Sequence, residues 1–233
     1  MHKHHKVLLA DLEKHQRRRA HSQANDSYLS SGHHYYDVSI PALRALAKAW
    51  LKENKNVPAT EFSAVLDSLY RGKSYEEKVL ASVILSYHRA GRGVISTKQL
   101  DAWLDLLVGW AEVDSLCAWW TAEEVIAGWP EWQRFIRSLS RNRNINKRRA
   151  ALVFLTGPLR RSNDGRLAAL AFETVEELKS ESDKMITKSV SWLLRSMVPH
   201  HKRALSAYLT KNRQSLPAIA VRETARKIIS GRK

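Results

Sequence analysis

The residues best equipped for chemistry lie in Trp110-Ala111-Glu112-Val113-Asp114-Ser115-Leu116-Cys117, with Trp119 and Trp120 close behind. Three of the eight tryptophans fall within eleven residues here, around acidic side chains in an otherwise apolar stretch. If one helix carries both Trp110 and Asp114, their four-residue spacing puts indole and carboxylate on one face. Such a pair suits a cationic guest. The same residues also fit a plainer reading, with Asp114 capping a following helix and Trp110 packed in the core.

Two other stretches bear on partners. Lys147, Arg148 and Arg149 open an apolar helix, where guanidinium forks and N-terminal amides together can hold phosphates. A solvated cap is the alternative. Three cations oppose the helix macrodipole at that end and gain nothing locally, which favours phosphate. Lys188, Trp192 and Arg195 share a face at i, i+4 and i+7, alternating cation and aromatic ring as expected where a protein meets a sugar-phosphate backbone. The histidines of the N-terminus, His33-His34 and His200-His201 have no partner cluster at metal-ligand spacing. No Ser/His/Asp order, P-loop, GxGxxG or paired CxxC occurs. No metal and no cofactor are therefore expected, and the catalytic options narrow to carboxylate chemistry aided by aromatics and cations.

Charge says what the partner should be. The formal net charge is +16, and it is segregated. Residues 1–20 hold six Lys/Arg against two acids, 21–140 twelve against fourteen, and 141–233 twenty-one against seven. Solubility does not require that asymmetry, whereas a footprint for nucleic acid does. No apolar run approaches the roughly 18 residues a membrane helix needs, and the N-terminus carries no apolar h-region of a secretory signal. A single cysteine, Cys117, fits a reducing cytosol. The expectation is a cytoplasmic, nucleoid-associated monomer with no membrane contact.

The elements that must position these residues read as helices, with no credible strand. A basic amphipathic helix spans 5–21 with Leu8, Leu9 and Leu12 on its apolar side, within a basic N-terminal segment 1–23. A loop covers His33 to Ile40. Helices follow at 41–53, 58–71, 74–90, 97–113, 114–127, 130–140, 146–155, 165–179, 183–198, 201–213 and 217–230, with Ser74 and Glu77 forming a capping box. A weak internal repeat places a basic residue at the head of an apolar helix at Lys78, Arg149, Lys188 and Arg222. The last three lie 39 and 34 residues apart, and Asp114 lies 36 after Lys78. That period matches two-helix HEAT-like units. The fold expected is all-α: one domain over 1–233 (repeats over 24–230), a right-handed superhelical solenoid of HEAT-like antiparallel helix pairs with a concave basic face. Lys78, Asp114, Arg149, Lys188 and Arg222 would form a ladder along that face.

Trp110-x-x-Val-Asp114-Ser115, Arg149-Ala-Ala-x-x-Phe154 and Lys188-x-x-x-Trp192-x-Leu-Arg195 resemble, in order and spacing, the signature positions of the AlkD-type DNA alkylation-repair glycosylases. The resemblance extends from about Tyr28 to Arg226. It implies hydrolysis of the N-glycosidic bond of N3- or N7-alkylated purines in duplex DNA, without need to flip the lesion into a pocket, so that bulky adducts are also acceptable. By the same resemblance Asp114 is the catalytic aspartate, and Trp110 and Trp192 hold the lesion's deoxyribose and backbone. Arg149 contacts phosphate, and Tyr28 is a further active-site aromatic; Lys147, Arg148, Lys188 and Arg195 complete the expected DNA-binding set. Ser39 stands where a longer polar amide can occur, and the N-terminal helix is unusually basic; both bear on substrate range. Two rivals stay open: a non-catalytic HEAT-repeat binder of damaged or branched DNA, and a protein scaffold. Asp114 with both tryptophans argues against the first, and the basic C-terminal part against the second.

Overall fold

Side-chain oxygens of Ser39, Ser74, Ser96, Asn144, Asp164 and Asp183 each accept a backbone N–H at the start of a helix. They satisfy donors that a helix start otherwise leaves orphaned. The structure, a computed structural model, describes residues 1–16, 28–29 and 31–231. Among these there are fourteen helices and, apart from an isolated bridge between His34 and Ser74, no β pairing. The fold is all-α, and no described helix is long and apolar enough to cross a membrane. The contacts divide the chain into two compact units, Met1–Trp120 and Thr121–Lys233.

The first unit holds α1 (Lys3–Lys14), α2 (Ile40–Glu53), α3 (Ala59–Tyr70), α4 (Tyr75–Tyr87), α5 (Arg89–Arg92), α6 (Thr97–Leu104) and α7 (Gly109–Ala118). Helix α4 lies at its centre, packed against α2, α3 and α7. Every residue from Glu76 to Leu85 is buried, the polar Glu76, Glu77, Lys78 and Ser82 included. The Ser74–Glu77 capping box opens it as expected. In α1, Leu8 and Leu12 are buried but Leu9 only in part; the helix ends at Lys14 with His15 as its C-cap, short of the expected end at residue 21, and 17–21 lie outside the described residues.

The second unit holds α8 (Ala122–Ala127), α9 (Trp129–Ser140), α10 (Ile145–Arg161), α11 (Gly165–Leu178), α12 (Lys184–Ser196), α13 (Val198–Asn212) and α14 (Ala218–Ser230). Helices α10, α12 and α14 lie side by side as one row, and α9, α11 and α13 pack as their antecedent partners. Side-chain bonds tie the first pair to the second at strides of 33 to 36 residues: Arg137 and Arg141 reach Glu173 and Glu177, both 36 residues on, and Arg148 reaches Glu181, 33 on.

Three expected boundaries are corrected. The expected helix 97–113 breaks after Leu104, and α7 starts anew at Gly109, whose φ of +79° no continuing helix accepts. Asp114 therefore stands in the middle of α7, and the N-cap position of the next helix is taken by Thr121. The expected helix 114–127 is in fact the end of α7 and the short α8. Helix α10 does not stop at Leu155 but runs through Pro158 to Arg161; Gly157 in that last stretch packs closely on Ala122, where an added Cβ would sit 3.1 Å from the alanine methyl.

Candidate functional site

In the first unit, Trp110 and Asp114 sit one turn apart on α7 and are both partly exposed, whereas Ala111, Glu112, Val113 and Ser115 between and beside them are buried. The helix thus turns its apolar side and Glu112 inward and presents the indole and the Asp114 carboxylate together. Tyr28 joins them. Its carbonyl accepts the Trp110 indole N–H at 2.8 Å, and the two rings meet edge to face with centroids 5.3 Å apart. Tyr28 itself is 70% exposed.

Three buried carboxylates fix this end of the unit. Glu112, fully buried, takes the Val108 N–H at 2.8 Å on one oxygen and meets His33 Nδ1 at 2.7 Å with the other. Glu76 accepts the N–H groups of Tyr36 and Val38 at 3.0 and 3.3 Å; its burial still pushes the carboxyl above the usual range. Burial also pushes the Glu77 carboxyl up, but hydrogen bonds from His5 and Ser74 outweigh it and hold it below the usual range. Lys78, expected on an exposed ladder, is instead buried and donates to Gly72 O at 2.6 Å, with burial depressing its ammonium. A helix buried on every side leaves a lysine no outward face.

In the second unit the cations differ in what they offer. Arg149 is buried, and its Nη1 donates to Met185 O at 2.6 Å and Ser189 Oγ at 2.8 Å, tying α10 to the first turns of α12. Lys147 is buried beside it. Arg148 makes a two-pronged pair with Glu181 at 2.7 and 3.0 Å and also donates to Asn142 O and Arg143 O. On α12, Lys188 is exposed, and Trp192 and Arg195 are partly so. Arg195 lies 3.3 Å from Glu223 of α14. Arg222, the last expected rung, is exposed.

The described structure thus brings Tyr28, Trp110 and Asp114 together in the first unit, and Arg149 with the helix bearing Lys188, Trp192 and Arg195 in the second. A profile of the DNA alkylation repair enzyme family matches residues 8–228. The chain belongs to that family. Its role therefore lies in the repair of alkylated DNA. The fold is similar to that of a solved structure titled a predicted DNA alkylation repair enzyme from Enterococcus faecalis, with a TM-score of 0.76 over 92% of this chain and 98% of that one, at 17% identity. No curated protein matches the chain.

Sequence reasoning weighed His33 only as a metal ligand and so missed its bond to Glu112. The signal was Glu112 itself, a charged residue in an apolar run, which when buried demands a partner.

Proposed function

We propose that this member of the DNA alkylation repair family is a DNA glycosylase. It hydrolyses the N-glycosidic bond of N3- or N7-alkylated purines in duplex DNA. The observation that carries the reading is the placing of Asp114 and Trp110 one turn apart on the partly exposed face of α7, with Tyr28 against the indole.

The chemistry follows from the charge of the lesion. Alkylation at N3 or N7 makes the purine cationic, so it leaves with its bonding electron pair as a neutral base and needs little general-acid help. Positive charge then builds on the deoxyribose, as in other oxocarbenium-like glycosyl transfers. The Asp114 carboxylate opposes that charge, and orients and deprotonates the water that adds at C1′. Indole faces of Trp110 and Trp192 against the sugar add about 0.5–2 kcal/mol each through cation–π attraction. An unmodified base, being uncharged, leaves poorly; discrimination therefore needs no tight base pocket, and bulky adducts remain acceptable substrates.

Phosphates supply the affinity, and exposure ranks the cations that meet them. Lys188 is assigned direct contact, and Arg195 and Arg148 contact from their ion pairs. The buried Lys147 and Arg149 are assigned to α10's first turn, Arg149 acting through its hold on α12. We place the protein with the DNA in the cytoplasm, as a monomer of HEAT-like helix pairs.

The test is incubation of the purified chain with duplexes carrying 3-methyladenine, 7-methylguanine or a bulky N3 adduct. Release of free base with formation of an abasic site is expected. Tight binding without release would make the protein a binder of damaged DNA.

A further inference from the structure

The working face of α7 is held from its opposite side. At 100° per residue, Glu112 points roughly opposite to both Trp110 and Asp114, and it is fully buried where they are partly exposed. A buried carboxylate is tolerated only where its oxygens are bonded. Glu112 meets that demand twice, with the Val108 N–H at the head of α7 and with His33 Nδ1 at 2.7 Å.

His33 belongs to the segment 31–38, whose other bonds face α4. His34 N–H donates to Lys73 O at 3.2 Å and Tyr75 N–H to His34 O at 2.9 Å, while Glu76 takes the N–H groups of Tyr36 and Val38. The segment is thus anchored on α4 and reaches α7 through the His33 imidazole. Five residues earlier, Tyr28 meets Trp110. Helix α7 is therefore tied to the N-terminal part of the chain at two points, two residues apart along its own length: an inward tie at Glu112 and an outward one at Trp110.

We propose that His33 and Glu112 form a positioning couple that fixes the rotation of α7, and with it the Tyr28–Trp110 pair beside Asp114. The proposal rests on the glycosylase reading for its effect on rate. It does not rest on that reading for its effect on geometry. Neither residue touches substrate; they act through Trp110 and Asp114. Loss of the imidazole frees α7 to turn about its axis and loosens the bond of the Trp110 indole to Tyr28 O, and a displacement near 1 Å at a reacting group can cost on the order of 100-fold in rate.

The couple makes a residue-type prediction. An asparagine at 33 places its amide nitrogen near the Nδ1 position and still donates to Glu112 Oε1, whereas a glutamine places it near Nε2 and does not. In the full chain, His33→Ala is expected to slow single-turnover release of 7-methylguanine about 10–100-fold with duplex affinity unchanged. His33→Asn is expected to recover most of that loss. Independently of activity, the Trp110 indole N–H signal, assigned through Trp110→Phe, should exchange faster with solvent in His33→Ala and at the wild-type rate in His33→Asn. If His33→Ala does not fold, His33→Gln takes its place, with the same outcome expected. Equal rates in wild type and His33→Ala, equal losses in the alanine and asparagine variants, or an unmoved indole signal would each overturn the couple. If the wild-type chain releases no base, the glycosylase reading fails, and the indole exchange alone decides the couple.

Discussion

The two units use their charged side chains in opposite ways. In the first, carboxylates go inside: Glu76, Glu77 and Glu112 gather backbone N–H groups, a serine and two histidines, the histidines from far along the chain. In the second, arginines do the joining, each reaching the next helix pair: Arg137 to Glu173, Arg141 to Glu177, Arg148 to Glu181 and Arg149 to Met185 and Ser189. A buried carboxylate that collects donors from a distant segment fixes that segment against one helix. An arginine with five donors on a long stem can bridge from one helix pair to the next. The first arrangement suits holding a reacting group. The second suits a surface that keeps its cations in register for phosphate.

The contrast can be broken first at Arg149. Truncating it to alanine removes its bonds to Met185 O and Ser189 Oγ, and the fold is expected to lose about 1–3 kcal/mol, read by urea unfolding. An unchanged midpoint would mean that the arginine braces nothing. Next come the tryptophans. Trp110→Ala and Trp192→Ala are each expected to slow excision by about 2–30-fold, the rate equivalent of about 0.5–2 kcal/mol of cation–π attraction, and equal rates would remove the indoles from the account. A smaller effect is expected at Lys188→Ala: stability unchanged, and the slope of log affinity against log salt reduced by about 0.9. An unaltered slope would place Lys188 away from the phosphates.

The smallest effect concerns pH in the first unit. The Glu77 carboxyl is held below the ordinary value of 4.5, so its contribution is complete above that value and fades as pH falls through the lower folded one. Because Glu77 bonds His5 of α1 at 2.7 Å, amides of α1 should lose hydrogen-exchange protection on acidification below 4.5. Constant protection in acid would show that this bond does not hold the helix.

Much of this was legible before the fold was known. Apolar periodicity located the helices, and Ser74 with Glu77 marks a start that local hydrogen bonding enforces. The resemblance at Trp110, Asp114, Arg149 and Trp192 led to the same family as the profile match. Single boundaries were not legible. Nothing near Gly109 announces a positive φ, and Pro158 reads as a stop although the helix passes through it. The ladder of basic residues failed at Lys78 because equivalent sequence positions do not have equivalent burial: α4 is enclosed on all sides. The tie of His33 to Glu112 spans 79 residues, a separation at which periodicity carries no information.

The most direct measurement is single-turnover excision of 7-methylguanine by wild type and Asp114→Asn, with duplex affinity measured in parallel. Removing the charge while keeping the shape is expected to cost about 100–1,000-fold in rate and to leave binding nearly unchanged. Equal rates for the two proteins would contradict the central claim, since the carboxylate would then play no part in making the cationic sugar.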